Sequence, residues 1–263
     1  MTSIKKLKTP VTYYGGKQRL LKYILPLIPD HTQYVEPFFG GGAVYFAKDP
    51  SKAEVINDRK HTVVNFYKVL KTEFPKLNRE VQSTLHSEHA FLKSREILKA
   101  PIKNKIQHAW AFWCQTRLTF ASCPLGGFGF DNDGKSAFTT YNKKKEFTNA
   151  FEKRMLHTEI FCRDAVALIK LKDGPETFFY CDPPYVSAVQ GYYSGYTFED
   201  FKLLLETLAK IKGKFLLSSY PEEILMEFRN KFGWTASDII QPLTVVAKGD
   251  RKSMKTECLT RNY

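Results

Sequence analysis

Residues 33–58 read QYVEPFFGGGAVYFAKDPSKAEVIND. They begin with a short apolar run, pass through three consecutive glycines at 40–42, and continue into an apolar segment at 43–47 whose pattern is compatible with a helix. A second short apolar run, at 53–58, ends in polar residues. This succession predicts a strand, a glycine loop, a helix and a second strand.

The alternation of strands and helices extends outward from this segment. Apolar residues at helical spacing in 62–70 follow the second strand, so the chain starts as βαβα. Beyond residue 155 we predict strands at 159–162, 177–181, 215–218, 239–247 and 257–260, and helices at 198–211 and 222–228. Alternation of this kind is typical of a doubly wound α/β sheet.

Residues 69–155 interrupt the alternation. They contain helix-like segments at 76–100 and 102–120 and a glycine-rich stretch at 126–134. They hold 15 Lys and Arg against 8 Asp and Glu, whereas the whole chain of 263 residues holds 40 against 27. The simplest organisation is an α/β domain with a basic insert.

The composition, with 43% hydrophobic and 25% charged residues, is that of a packed globular protein. A net charge of +13 favours a polyanionic partner such as nucleic acid, but an anionic membrane surface or an unengaged basic surface would give the same number. No stretch approaches the roughly 18 apolar residues of a spanning helix, and the start lacks the apolar region of a signal peptide. We therefore expect a soluble, cytoplasmic protein.

The five cysteines form no C-x-x-C pair. This spacing fits neither a disulfide framework nor a zinc site, so we expect reduced and mostly buried thiols and no metal.

The tetrapeptide Asp182-Pro183-Pro184-Tyr185 directly follows the apolar run 177–181. It is therefore predicted to lie at the carboxyl end of a central strand, where open α/β sheets bind ligands. It resembles the D-P-P-Y motif of amino-group DNA methyltransferases, in which the Asp and a proline carbonyl accept hydrogen bonds from an exocyclic amine while the Tyr stacks on the base. The alternative is a Pro-Pro turn with an Asp cap.

These residue types suit methylation of a base amine. The lone pair of such an amine is delocalised into the ring, so two acceptors that pull on its N–H bonds favour a pyramidal nitrogen whose lone pair can meet a methyl donor. Proline supplies a fixed φ and no competing N–H, and the tyrosine face holds a base that has left the stack.

The glycine loop lacks the G-x-G-x-x-G fingerprint of dinucleotide-binding folds. Backbone without side chains nevertheless allows a bulky cofactor to lie close, although a plain turn explains the same glycines. Asp58, at the end of the second predicted strand, can accept from ribose hydroxyls or cap the next helix.

The motifs occur in the order of the Dam-type DNA adenine methylases, the alpha group of this class, and the resemblance covers nearly the whole chain. The matching segments are Tyr13-Tyr14-Gly15-Gly16-Lys17, 36–42, Asn57-Asp58, the basic insert, 182–185 and the closing stretch 256–263. The resemblance implies a Rossmann-like class I methyltransferase core at 1–68 and 156–263, with a mainly helical target-recognition domain inserted at 69–155. Such enzymes also serve restriction–modification systems.

The same resemblance assigns roles to residues. The catalytic set is Asp182, Pro183, Pro184 and Tyr185. The set for S-adenosylmethionine is Tyr13, Gly15, Gly16, Lys17, Glu36, Phe38, Gly40, Gly42, Asp58, Asp164 and Asp182. Lys17 would meet the cofactor carboxylate and Asp164 its adenine amine; a surface lysine, and an Asp164 salt bridge to Arg163 or Lys170, are the alternatives.

The expected partner is double-stranded DNA, bound by a monomer or by a dimer on the DNA. Candidate DNA contacts are Arg117, Lys135, Lys143, Lys144, Arg251 and Lys252. The insert departs from the Dam pattern, so GATC specificity does not carry over. The expected reaction is methyl transfer to the N6 amine of a flipped adenine. An N4-cytosine methyltransferase, a non-catalytic DNA-binding protein of the same fold and an RNA substrate stay open as alternatives.

Overall fold

The computed structural model describes residues 7–13, 15–119, 126–186, 195–242 and 254–263. Within these ranges the chain has an α/β fold with a seven-stranded sheet in the order β3-β2-β1-β4-β5-β7-β6. The strands are β1 (Gln33–Glu36), β2 (Ala53–Asn57), β3 (Thr158–Phe161), β4 (Thr177–Cys181), β5 (Lys214–Ser219), β6 (Thr235–Pro242) and β7 (Met254–Arg261).

The α-helices in the described ranges vary from four to fourteen residues. They are α1 (Leu21–Ile24), α2 (Ala43–Ala47), α3 (His61–Thr72), α4 (Phe74–Ser83), α5 (Glu88–Lys99), α6 (Lys105–Leu118), α7 (Lys135–Glu146), α8 (Ala150–Met155), α9 (Ala165–Lys172), α10 (Phe198–Leu208) and α11 (Glu223–Phe232). Short 3-10 turns at Lys17–Arg19 and Leu25–Leu27 flank α1. Side-chain caps start several helices; Thr197 and Asp200 form a capping box at α10.

The chain divides into two compact units. The first comprises residues 1–25, 39–50 and 56–163, and the second comprises 26–38, 51–55 and 164–263. Residues 69–155 lie wholly in the first unit. The division into a catalytic core and an inserted recognition domain stays a prediction.

The second unit contains parallel and antiparallel strand pairs. β1 and β5 pair in parallel with β4, which is buried along its whole length because it has neighbours on both edges. β7 runs antiparallel to both β5 and β6, with Ser218 opposite Leu259 and Ser219 opposite Cys258. β4 ends at Cys181, so Asp182 is the first residue beyond its carboxyl end.

The first unit has an aromatic helical core. Trp113 is fully buried on α6, and Phe112 of the same helix lies 5.4 Å from Phe66 of α3, measured between ring centroids. The Asn65 amide donates to the Lys105 carbonyl at 2.9 Å, at the start of α6. The aromatic residues of α6, Trp110, Phe112 and Trp113, are thus part of the core of the first unit.

Most predicted elements are confirmed, and the errors in their bounds have physical causes. The predicted helix 76–100 is two helices, since α4 ends before Thr84 and the Ser87 side chain caps α5. The strand predicted at 239–247 begins earlier, because β6 pairs with β7 from Thr235 onward; its last five residues lie outside the described part. The described residues include no helix long and apolar enough to span a membrane.

Candidate functional site

The D-P-P-Y segment leaves the carboxyl end of β4, as predicted. Cys181 is the last strand residue, and Asp182 and Tyr185 follow it as half-buried side chains. The Tyr185 hydroxyl lies 3.2 Å from Asp182 Oδ1 and makes a shorter hydrogen bond with Glu257 Oε1. The Tyr185 ring packs edge-on against Tyr220, with centroids 4.4 Å apart.

Ser218 completes this group, which we call the Tyr185 cluster: Asp182, Tyr185, Ser218, Tyr220 and Glu257. Ser218 Oγ donates to Glu257 Oε1 at 2.6 Å, and both residues are at most 1% exposed. They meet because Leu259 lies directly opposite Ser218, which puts Glu257, two residues away on β7, on the same sheet face.

The electrostatics of the Tyr185 cluster keep its tyrosine protonated. Burial raises the pKa of Tyr185 well above its ordinary value, and the nearby carboxylates of Asp182 and Glu257 raise it further. Burial, followed by Asp182, also raises the pKa of Tyr180 on β4. The Tyr185 hydroxyl is therefore a hydrogen-bond donor at neutral pH.

Two other predicted residues of the second unit, Glu36 and Phe38, lie at and just beyond the end of β1. Glu36 is 2% exposed and accepts from the Tyr34 hydroxyl at 2.7 Å. Burial and then Glu36 raise the pKa of Tyr34, so this hydroxyl also stays a donor. The Phe38 ring lies 6.3 Å from that of Tyr196, edge to face.

The glycine loop in the first unit is packed against Tyr13. Gly40 has φ +46°, and a Cβ there would lie 2.8 Å from Cδ1 of Tyr13. The Tyr67 hydroxyl donates to the Gly40 carbonyl at 3.0 Å, and the Tyr13 ring centroid lies 6.4 Å from that of Phe112. The protein's own aromatic ring thus occupies the space that a side chain at residue 40 would need.

Gly42 is constrained in the same way by a different ring. Its φ is +66°, and a Cβ there would lie 2.5 Å from Cζ of Phe39. The predicted reason for these glycines was access for a cofactor; the structure adds a packing reason. The cofactor contacts of Gly40 and Gly42 stay a prediction.

The G-G-K turn places a lysine inside the protein. The Gly16 N–H donates to the Tyr13 carbonyl at 3.0 Å, and Gly15 has φ +74°. Lys17 is 6% exposed and its ammonium donates to the Gly15 carbonyl at 2.9 Å. The alternative of a surface lysine is therefore excluded.

Asp58 accepts two backbone N–H groups of the first unit. The Gly40 N–H donates to Oδ2 at 3.0 Å and the Lys60 N–H donates to Oδ1 at 2.8 Å. Burial raises the pKa of Asp58 above its ordinary value, against the opposing effect of these hydrogen bonds. Asp58 thus ties the glycine loop to the segment before α3, and each of its oxygens has a second lone pair.

Arg117, a predicted DNA contact, is engaged within the first unit. Its guanidinium donates to the carbonyls of Pro10 at 2.9 Å and Thr9 at 3.3 Å, and to the Thr12 hydroxyl. Burial lowers the pKa of Arg117 to about 10. We call Thr12, Tyr13, Gly40, Phe112 and Arg117 the Tyr13 cluster. Arg117 fixes the segment that carries Tyr13, and its DNA contact stays a prediction.

The predicted basic DNA contacts on α7 have internal partners. Lys135 forms a salt bridge with Asp133, and the Lys143 ammonium lies 2.7 Å from Glu146 Oε2. The Lys144 ammonium donates to the Thr84 carbonyl at 2.8 Å. Arg251 and Lys252 lie outside the described residues.

Asp164, predicted to meet the cofactor adenine, caps a helix. Its side chain accepts from the Ala167 N–H at 3.0 Å at the start of α9. This is neither of the alternatives foreseen for it, which were salt bridges. Its cofactor contact stays a prediction.

Sequence reasoning did not single out Ser218, Tyr220 and Glu257. Glu257 lies in the closing stretch that carried the family resemblance, but its contact with Tyr185 joins residues 72 apart in the chain. No apolar pattern in the sequence marks Glu257 as buried, because β7 also holds Lys255, Thr256, Thr260 and Arg261. The described residues contain no cluster that could hold a metal ion. Four described cysteines are free, and three of them are buried.

Comparison with known proteins agrees with this geometry. The chain is 27% identical to the DNA N-6-adenine-methyltransferase of Escherichia phage P1, over 93% of this chain and 34% of the phage protein. It is 25% identical to the Type II methyltransferase M1.LlaDCHI of Lactococcus lactis subsp. cremoris, over 95% of this chain and 93% of that protein. It is also 25% identical to the Type II methyltransferase M.MjaIII of Methanocaldococcus jannaschii, over 98% of this chain and the full length of that protein.

The chain thus spans about a third of the phage relative and nearly all of the other two. Residues 13–238 match the family described as D12 class N6 adenine-specific DNA methyltransferase, which confirms both the resemblance to adenine methylases and the Rossmann-like methyltransferase fold. The chain belongs to the D12 class N6 adenine-specific DNA methyltransferase family.

Proposed function

We propose that this protein transfers a methyl group from S-adenosylmethionine to the N6 amine of an adenine flipped out of duplex DNA. The observation that carries this proposal is the position of Asp182, Pro183 and Tyr185 directly after the buried strand β4. Family membership supports adenine as the target base. Base flipping follows from the chemistry, because an enzyme reaches an exocyclic amine only outside the stack.

The second unit supplies groups that act on the target amine. We assign the Asp182 carboxylate and the Pro183 carbonyl as acceptors for the two N–H bonds, which favours a nitrogen whose lone pair points away from the ring. The Tyr185 ring supplies a face for the base, and Pro184 keeps the segment rigid. No general base is needed before the nitrogen has formed its new bond, since the amine loses its proton only afterwards, to the Asp182 carboxylate that already accepts its N–H.

The residues fit S-adenosylmethionine by the chemistry of their donors and acceptors. Lys17 provides a buried ammonium for a carboxylate, and Asp58 provides a half-buried carboxylate with lone pairs for ribose hydroxyls. The remaining predicted contacts in the first unit are Tyr13, Gly15, Gly16, Gly40 and Gly42; those in the second are Glu36, Phe38, Asp164 and Asp182. When bound, S-adenosylmethionine supplies an electrophilic methyl carbon for the amine nitrogen.

Lys17 offers a direct test of the cofactor assignment. Lys17→Met should weaken S-adenosylmethionine binding about tenfold or more in calorimetry, because the ligand carboxylate loses a charge-assisted hydrogen bond. Lys22→Met, at an exposed lysine on α1, is the matched control and should bind as the unsubstituted protein does. Equal affinity of both variants would refute the assigned role of Lys17.

The transfer itself is tested with purified protein, tritiated S-adenosylmethionine and unmethylated bacterial genomic DNA. We expect label in DNA, and none when the same genome is supplied as RNA transcripts. DNA binding without transfer would refute the proposal in favour of a non-catalytic DNA-binding protein.

We further propose that the protein is a monomer that contacts DNA through the basic insert and remains in the cytoplasm. The large share of the chain's net positive charge that lies in the insert supports the DNA contact. The phage and bacterial relatives support the location.

A further inference from the structure

We propose that Glu257 is a positioning residue that holds the Tyr185 hydroxyl proton and so keeps that proton off Asp182. This inference rests on the proposed function, because it concerns the acceptor that Asp182 offers to the target amine. The residues involved all belong to the Tyr185 cluster of the second unit.

The Tyr185 hydroxyl has two charged acceptors in reach but a single proton. A tyrosine hydroxyl carries one hydrogen and therefore donates one full hydrogen bond at a time. Two carboxylates lie within reach of the Tyr185 hydroxyl: Asp182 Oδ1 at 3.2 Å and Glu257 Oε1 at a shorter distance. The shorter contact takes the proton, because hydrogen bonds to ionised acceptors strengthen as they shorten.

Glu257 is built into the sheet as a fixed acceptor. It is 1% exposed, so a carboxylate there requires hydrogen-bond donors in compensation. Ser218, itself fully buried, donates to the same Oε1 at 2.6 Å. Antiparallel pairing of β5 with β7 sets the distance between these two side chains, so the acceptor position does not depend on a mobile loop.

The consequence concerns the lone pairs of Asp182. If Glu257 did not take the hydroxyl proton, two acceptors would remain, Asp182 Oδ1 at 3.2 Å and Ser218 Oγ at 3.3 Å. Tyr185 would donate to Asp182, because a carboxylate is the stronger acceptor. An N–H bond of the target amine would then compete with the tyrosine for the same carboxylate. Glu257 therefore maintains the strength of the acceptor on which nitrogen pyramidalisation depends.

This role predicts an unusual pattern of kinetics. Glu257→Ala should slow methyl transfer about ten- to a hundredfold in single turnover, because Asp182 gains a competing charge-assisted hydrogen bond. Tyr185→Phe should slow it only about two- to tenfold, since the ring stays and the competing donor is gone. Adding Tyr185→Phe to Glu257→Ala should therefore restore the rate to within about threefold of Tyr185→Phe alone.

The experiment measures single-turnover transfer from tritiated S-adenosylmethionine to unmethylated bacterial genomic DNA for the four proteins of this cycle. Urea unfolding and DNA affinity are recorded alongside. Recovery of the rate by the second substitution, without recovery of stability, supports the proposal, because a merely structural glutamate would give two losses that add. A double variant no faster than Glu257→Ala overturns it, as does an unimpaired Glu257→Ala.

Glu257→Gln with and without Tyr185→Phe provides the same cycle if the alanine variant does not fold. Its amide is a weaker acceptor and can donate to the tyrosine oxygen, so the single variant should again be slow and the pair should recover. Failure of the unsubstituted protein to methylate DNA refutes the proposed function; transfer by that protein without recovery in the cycle refutes only the role of Glu257.

Discussion

The Tyr13 cluster and the Tyr185 cluster each centre on a tyrosine from a sequence motif, but the protein fixes the two tyrosines by opposite means. In the Tyr13 cluster a half-buried cation, Arg117, binds the backbone before the tyrosine, and the ring packs against Gly40. In the Tyr185 cluster a buried glutamate, Glu257, binds the tyrosine hydroxyl itself.

The two kinds of anchoring suit different roles for the two tyrosines. Backbone anchoring and ring packing define a shape, which suits the recognition of a ligand. Anchoring of a hydroxyl beside Asp182 defines where a proton lies, which suits chemistry on an amine. We therefore expect substitutions in the Tyr13 cluster to change stability and binding, and substitutions in the Tyr185 cluster to change the rate of transfer.

The largest effect is expected at Asp182. Asp182→Ala should lower the single-turnover rate by at least about a hundred- to a thousandfold, because it removes an acceptor that acts on the reacting nitrogen. Rapid-quench assays with labelled S-adenosylmethionine measure this rate. The control is Glu227→Ala, which removes an exposed carboxylate from α11 of the same unit. A rate for Asp182→Ala equal to that of the control would refute the assigned role of the Tyr185 cluster in methyl transfer.

Arg117→Ala should affect the fold more than the chemistry. We expect the free energy of unfolding to fall by about 2–4 kcal/mol, since the carbonyls of Thr9 and Pro10 lose a charged donor. Urea denaturation followed by circular dichroism measures the change. Arg79→Ala, at an exposed site on α4, should stay within about 0.5 kcal/mol. Unchanged stability with weaker DNA binding would instead establish Arg117 as a DNA contact.

Gly40 and Gly134 both have a positive φ angle, but an added side chain would meet different surroundings at the two positions. Gly40→Ala should cost about 2–3 kcal/mol, because its new Cβ would collide with the Tyr13 ring in addition to the left-handed strain. Gly134→Ala should cost only about 1 kcal/mol, since φ there is +73° but no atom lies within 4 Å. Thermal unfolding of the pair measures the difference, and equal losses would show that Tyr13 is not packed as described.

The smallest effect is a change in pH dependence at Asp58. Burial raises its pKa in the folded protein, so the folded state binds more protons than the unfolded chain between the ordinary and the raised value. The free energy of unfolding should therefore fall as pH rises through this interval. Asp58→Asn should remove this contribution, so urea titrations across acidic pH should give a more positive slope for the variant than for the unsubstituted protein. Equal slopes, or a more negative slope in the variant, would contradict the burial argument.

Sequence reasoning reached the motif half of each cluster. β4 was predicted with correct bounds because it is continuously apolar, and Asp182 and Tyr185 follow it directly. The anchoring contacts of Arg117 and Glu257 were not predicted, because each contact joins residues about 70 to 110 positions apart in the chain. No local period encodes such contacts. In the sequence, Arg117 looks like a DNA contact because it lies in a basic insert. Its burial and its hydrogen bond to the Pro10 carbonyl show that it anchors the segment before Tyr13.

The errors in the bounds of helices and strands have both local and long-range origins. The break between α4 and α5 depends on the Ser87 cap, and the early start of β6 depends on pairing with β7. Helix α7 was missed because its exposed, lysine-rich sequence has little apolar periodicity. A local cap thus sets the start of α5, whereas strand pairing sets the start of β6.

The proposed action of the Tyr185 cluster on the N6 amine of adenine is tested by mass spectrometry of nucleosides from cellular DNA. The cells lack other DNA methyltransferases and express either the unsubstituted protein or Asp182→Ala. We predict N6-methyladenine with the unsubstituted protein and none with Asp182→Ala. N4-methylcytosine in place of N6-methyladenine, or equal N6-methyladenine from both proteins, would contradict the claim.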